Sequence, residues 1–161
     1  MVSIALRRPA EKPAYPTPET QLFVEEDVVL KVSGGKPLRM RARLLAEGTT
    51  WAVGTAAWNE VALYQRDQGD IAVSIKTFKK SSAETDVFHA EVFPNFEEAC
   101  SFLESFDPSA DLTAGIDASD RSVSGAEIAL RAAALRQKAD DVVRRYRALV
   151  GELLFRLDTF Q

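Results

Sequence analysis

"EVALYQRDQGDIAVSIKTF", residues 60–78, sets two runs rich in β-branched and aromatic residues around the polar tetrapeptide DQGD. Gly69 can take the left-handed backbone that a short hairpin loop demands without the steric cost a Cβ would impose. The stretch therefore reads as two antiparallel strands joined by a tight loop.

Working outward, the same grammar repeats. "VVLKV" and "LRMRARL" flank "SGGKP", whose Gly34 and Gly35 signal a turn, so Val28–Ala46 reads as another hairpin. In its second strand Leu38, Met40, Ala42 and Leu44 fall on one face and Arg39, Arg41 and Arg43 on the other. On the C-terminal side "VFHAEVF" reads as a last strand. The stretch Thr49–Ala57, flanked by Trp51 and Trp58 and interrupted by Gly54, fits either a short strand or a bulged connection. Short links imply an antiparallel meander of five or six strands, with one apolar and one solvated face.

Helical signals follow. In "NFEE", Asn95 takes the N-cap and Glu98 the third helical position, as in a capping box. Phe96, Ala99, Leu103 and Phe106 recur at helical spacing, a face expected on the sheet. Ser124 and Glu127 repeat the capping spacing before a stretch that runs to about Asp158 without proline. Acid-before-base pairs at i,i+4 support this helix: Glu127 with Arg131, Asp140 with Arg144, Asp141 with Arg145 and Glu152 with Arg156.

Ile128, Ala132, Leu135, Ala139, Val142, Tyr146, Leu149 and Leu153 step alternately by four and three, a heptad rhythm. At 1.5 Å per residue the helix is about 50 Å long, whereas a compact domain of this size spans only about 40 Å. The helix must overhang, or kink, with Gly151 the weakest point. An overhanging apolar stripe needs a partner. Ile128, Leu135, Val142, Tyr146, Leu149 and Leu153 are accordingly expected to bind it, with Arg144, Arg145 and Arg147 setting orientation against acids across the seam. The fold class is α+β: the meander, a short packed helix and a long C-terminal amphipathic helix. Residues 1–20, with Pro9, Pro13, Pro16 and Pro18, are expected to form a disordered tail. Residues 21–121 form the α+β domain, and residues 122–161 the long helix that packs on it, self-associates, or both.

Composition narrows the function classes. The chain has 161 residues with net charge −4. No apolar run suits a membrane span, and no secretory leader is expected, because the N-terminal stretch lacks an apolar segment. A single cysteine, Cys100, forms no internal disulfide, which fits a reducing, cytoplasmic setting. Charge is uneven: Ser81–Asp120 holds ten acids and no lysine or arginine.

Catalytic chemistry finds little support. His89 is the only histidine and shares a strand face with Glu91; a strand histidine is the simpler reading than a general base. Cys100 reads as a small core hydrophobe rather than a nucleophile paired with His89. One His and one Cys make no zinc site, and Leu112 and Ala118 stand where a calcium loop needs glycine and glutamate. No phosphate-cradling motif occurs. The expectation is therefore no catalytic residues, no metal and no cofactor.

The leading expectation is a non-enzymatic binding or assembly protein, homodimeric through its C-terminal helix, with a different protein partner as a variant. A nucleic-acid binder is the first alternative. Arg39, Arg41 and Arg43 would repeat at about 6.5–7 Å along a strand, close to the phosphate spacing. A small-ligand module is the second, with Trp51, Trp58, Tyr64 and Phe78 lining a pocket between sheet and helix.

Overall fold

A computed structural model describes residues 24–112 and 119–159. The proline-bearing segment 1–20 lies outside the described residues. Five strands, β1 (Glu26–Leu30), β2 (Leu38–Thr49), β3 (Ala57–Arg66), β4 (Ile71–Lys79) and β5 (Val87–Phe93), form one antiparallel meander in sequence order. After it come α1 (Phe96–Ser105), a single 3₁₀ turn (Pro108–Asp111) and α2 (Gly125–Thr159). The fold is α+β, as the alternation and turn chemistry predict.

Local signals act where the sequence places them. Gly69 has φ of 90° between β3 and β4, and the loop is clipped by an Arg66–Asp70 ion pair at 2.8 Å. Asn95 Oδ1 accepts from the Glu98 backbone N–H at 2.9 Å, capping α1. Ser124 Oγ accepts from the Glu127 N–H at 3.2 Å, capping α2. The stretch Thr49–Ala57 extends β2 to Thr49 and then forms a loop rather than a strand of its own. The helix α2 runs unbroken through Gly151, which is exposed and meets no neighbour where a Cβ would stand. Val150 and Leu153, on either side of Gly151, both pack into the core.

Register assigns the two sheet faces. Val61 pairs with Ile75, Leu63 with Val73 and Ala46 with Leu63, and these side chains share the helix-covered face. Phe93, Ala99, Leu103, Tyr146, Leu149 and Leu153 complete that core. Gly48 lies on the same face, where its missing side chain admits Leu149. The pairing of β2 with β3 shifts between Leu44 and Ala46. This bulge brings both Leu45 and Ala46 onto the core.

The far face is not simply solvated. Leu30, Ala42 and Ala72 on it are buried. The sheet coils so far that the turn after β1 reaches the start of β5. The Ser33 N–H donates to the Phe88 carbonyl, and the Phe88 N–H donates to Ser33 Oγ, both at 2.8 Å. At this corner Trp58 stacks on Phe78, and Phe78 meets Phe88 edge to face. Trp58, Phe78 and Phe88 thus form a small aromatic group on the face away from α2.

Candidate functional site

The long helix presents two different faces. Its buried residues are Val142, Tyr146, Leu149, Val150 and Leu153, all in the C-terminal half. Four of the six residues expected to bind a partner (Val142, Tyr146, Leu149 and Leu153) therefore fill the chain's own core. Their heptad spacing serves the sheet, because the stripe meets Gly48 and the β3 and β4 valines and leucines. Ile128 and Leu135 continue the stripe but are only half-buried. The overhang is real and confined to the N-terminal half, where Gly125–Gln137 is exposed except at those two positions. Lys138 marks its root, pairing with Glu84 of the β4–β5 loop at 3.4 Å.

The opposite, outward face carries two large exposed apolar side chains, Leu130 at 72% and Phe155 at 73%. They stand 25 positions apart in the sequence, about seven helical turns, so they fall on one line of the surface. Between them lie the exposed Gln137, Arg144, Ala148 and Gly151 and the half-exposed Asp141. Arg144 and Arg145 both bond Asp141, the latter at 3.0 Å. Arg144 thus turns to Asp141 rather than to Asp140, the partner that i,i+4 spacing suggests. Glu127–Arg131 and Glu152–Arg156 form as expected, at 2.6 and 3.0 Å. Arg147 faces the 3₁₀ turn, where its charge helps hold the Asp107 carboxyl low, after the dominant hydrogen bonds from Ser109.

The arginine row is flanked by carboxylates. Arg41 lies 3.9 Å from Asp27, and Arg43 donates to Gln65 at 2.5 Å. Glu25 is raised chiefly by its hydrogen bond with Asp67, while Arg41 and Arg43 draw it back down. Asp27 beside Arg41, and Glu25 near Arg41 and Arg43, offset part of the charge of this row.

The aromatic residues do not share one pocket. Trp58 and Phe78 stack at the closed corner, Trp51 is 56% exposed on the β2–β3 loop, and Tyr64 is on the concave face. A hollow of about 310 Å³ does open beside Tyr64, lined by Glu47, Glu60, Ser74 and Lys76. Burial, then Glu47 and Glu26, push the Tyr64 phenol above its ordinary range.

His89 finds a carboxylate, but not Glu91. Its Nε2 stands 2.9 Å from both oxygens of Asp111, in the 3₁₀ turn. Asp111 also accepts from Thr77 Oγ1 at 2.6 Å, and Thr77 accepts from Asn59 Nδ2 at 2.9 Å. This chain of four polar groups ties the turn to the sheet. Thr77 and Asn59 are fully buried, whereas the His89 side chain at the other end is 36% exposed. Cys100 is half-buried, and burial, followed by Glu104, raises its thiol, the reverse of an activated nucleophile. Among the described residues no cluster of His, Cys, Asp and Glu is placed to hold a metal ion. No described helix is long and apolar enough to cross a membrane.

No protein-family model matches the chain, and no characterised protein or solved structure shows significant similarity to it.

Proposed function

We propose that this chain is a non-enzymatic assembly protein that self-associates through α2. One observation carries the reading: a helix about 50 Å long is anchored by one face and keeps Leu130 and Phe155 exposed on the other. Contact with a partner along this line would remove both apolar side chains from water. The inward stripe anchors the C-terminal half of the helix, so little ordering entropy would be lost when that half meets a partner.

Sedimentation velocity between roughly 1 and 100 µM, a range that brackets weak to moderate dimers, tests the reading. A concentration-dependent dimer is expected, weakened in a Leu130→Asp variant that leaves the core intact. A monomer across the whole range overturns the proposal.

A further inference from the structure

We infer, on the footing of the self-association reading, that the partner on the outward face of α2 is a second copy lying antiparallel. Its register sets Leu130 against the partner's Phe155 and Asp141 against the partner's Arg144.

The register follows from symmetry and charge. A twofold interface uses one patch on both subunits, so residues pair about a single midpoint. Leu130 and Phe155 share a midpoint between Val142 and Val143. Asp141 and Arg144 share the same midpoint, and so do the exposed Gln137 and Ala148. At that axis each Asp141, already bonded to its own Arg144 and Arg145, would also meet the Arg144 of the partner subunit, giving a six-membered ion network. At each end an exposed leucine would cover an exposed phenylalanine, removing both from water. Ala148 and the neighbouring Gly151 are small enough for the helices to approach closely. A parallel pairing would instead bring Asp141 beside the partner's Asp141 and align the two helix dipoles, both unfavourable. Each sheet covers the opposite face of its own helix, so the two cores stay apart. The result is a layered assembly of sheet, helix, helix and sheet.

Cysteine pairing tests the register without touching either apolar anchor. In a Cys100→Ser background, Gln137→Cys and Ala148→Cys are made as separate variants. Within one chain these positions are about 16 Å apart, beyond the roughly 7 Å reach of a disulfide, so any bond formed is intermolecular. The antiparallel register predicts a disulfide-linked dimer when the two variants are mixed under mild oxidation, and none with either alone. Disulfide dimers from each variant alone would indicate a parallel pairing and overturn the register while leaving self-association standing. A wild-type chain that sediments as a dimer, with no crosslink in any mixture, places the contact elsewhere and overturns the inference alone. A monomeric wild-type chain overturns both.

Discussion

Tyr146 Oη donates to the Leu103 carbonyl at 2.8 Å, and this bond fastens the long helix to the short one. Leu103 lies in the last turn of α1, where carbonyls lack partners within the helix. The phenol fills that vacancy from α2. Burial drives its pKa well above the ordinary range, so it stays a donor at any working pH. Tyr146→Phe keeps the ring among Phe106 and its neighbours and removes only the bond. It should cost about 1–3 kcal/mol in urea denaturation, since a buried carbonyl is left unsatisfied. Tyr146→Ala should cost about 3–5 kcal/mol, because a cavity is added.

Gly48 faces Leu149 so closely that a Cβ there would stand 2.5 Å from Leu149 Cδ1. Gly48→Ala should therefore destabilise by about 1–3 kcal/mol, as overpacking does. Leu149→Ala vacates the same space. The double variant should then cost less than the two single costs added, by about 0.5–3 kcal/mol. Additive costs in a chemical-denaturation cycle would show that the two residues do not share this contact.

These contacts also mark what the sequence could and could not reveal. Gly69, Asn95 and Ser124 were legible because each acts within a few residues of itself. The alternation in β2 held from Leu38 to Leu44 and failed at Leu45, where a bulge depends on the partner strand. The Ser33–Phe88 clasp joins residues 55 positions apart, and no local pattern announces it. Ala42, on the apolar side of the β2 alternation, and Ala72 are both buried. The heptad stripe is legible in the sequence as an apolar line along the helix. Its period could not say whether a sheet or a second chain covers it, because both accept the same side chains. Glu91 shares the strand face of His89, whereas the fold brings in Asp111 from 22 residues away.

Asp111 accepts from Thr77 and faces His89, while Asn59 bonds Thr77 from behind. Asp111→Ala strips the Thr77 hydroxyl of its acceptor in a buried site and should cost about 1–3 kcal/mol. Thr77→Val removes the middle of the chain and should cost a similar amount. Because the bonds are in series, the double variant should again be sub-additive. Independent effects in the denaturation cycle would show the four groups act separately.

The Asp107 carboxyl is held below its ordinary range by hydrogen bonds from the Ser109 hydroxyl and backbone, with Arg147 adding to the effect. A depressed carboxylate contributes stability that is fully present above its unfolded pKa, near 3.9. That contribution is lost as pH falls through the lower folded value. Urea midpoints should therefore drop more steeply between about pH 4 and pH 2 in the wild type than in Asp107→Asn, which cannot ionise. Equal slopes would show that the bond does not distinguish the two protonation states.

Arg41 and Arg43 lie among Asp27, Glu25 and Asp67, which decides the expectation for nucleic acid. Nonspecific binding needs several uncompensated cations, each releasing counterions from the phosphate backbone. With acids at this spacing, the row Arg39, Arg41 and Arg43 should neutralise few phosphates. We expect the wild-type chain to pass a double-stranded DNA column unretained at about 50 mM salt, where phosphate binders are held strongly. Retention at that salt, falling steeply as salt rises and abolished when all three arginines are changed to alanine, would reverse this conclusion. It would place the working surface on β2 rather than on α2.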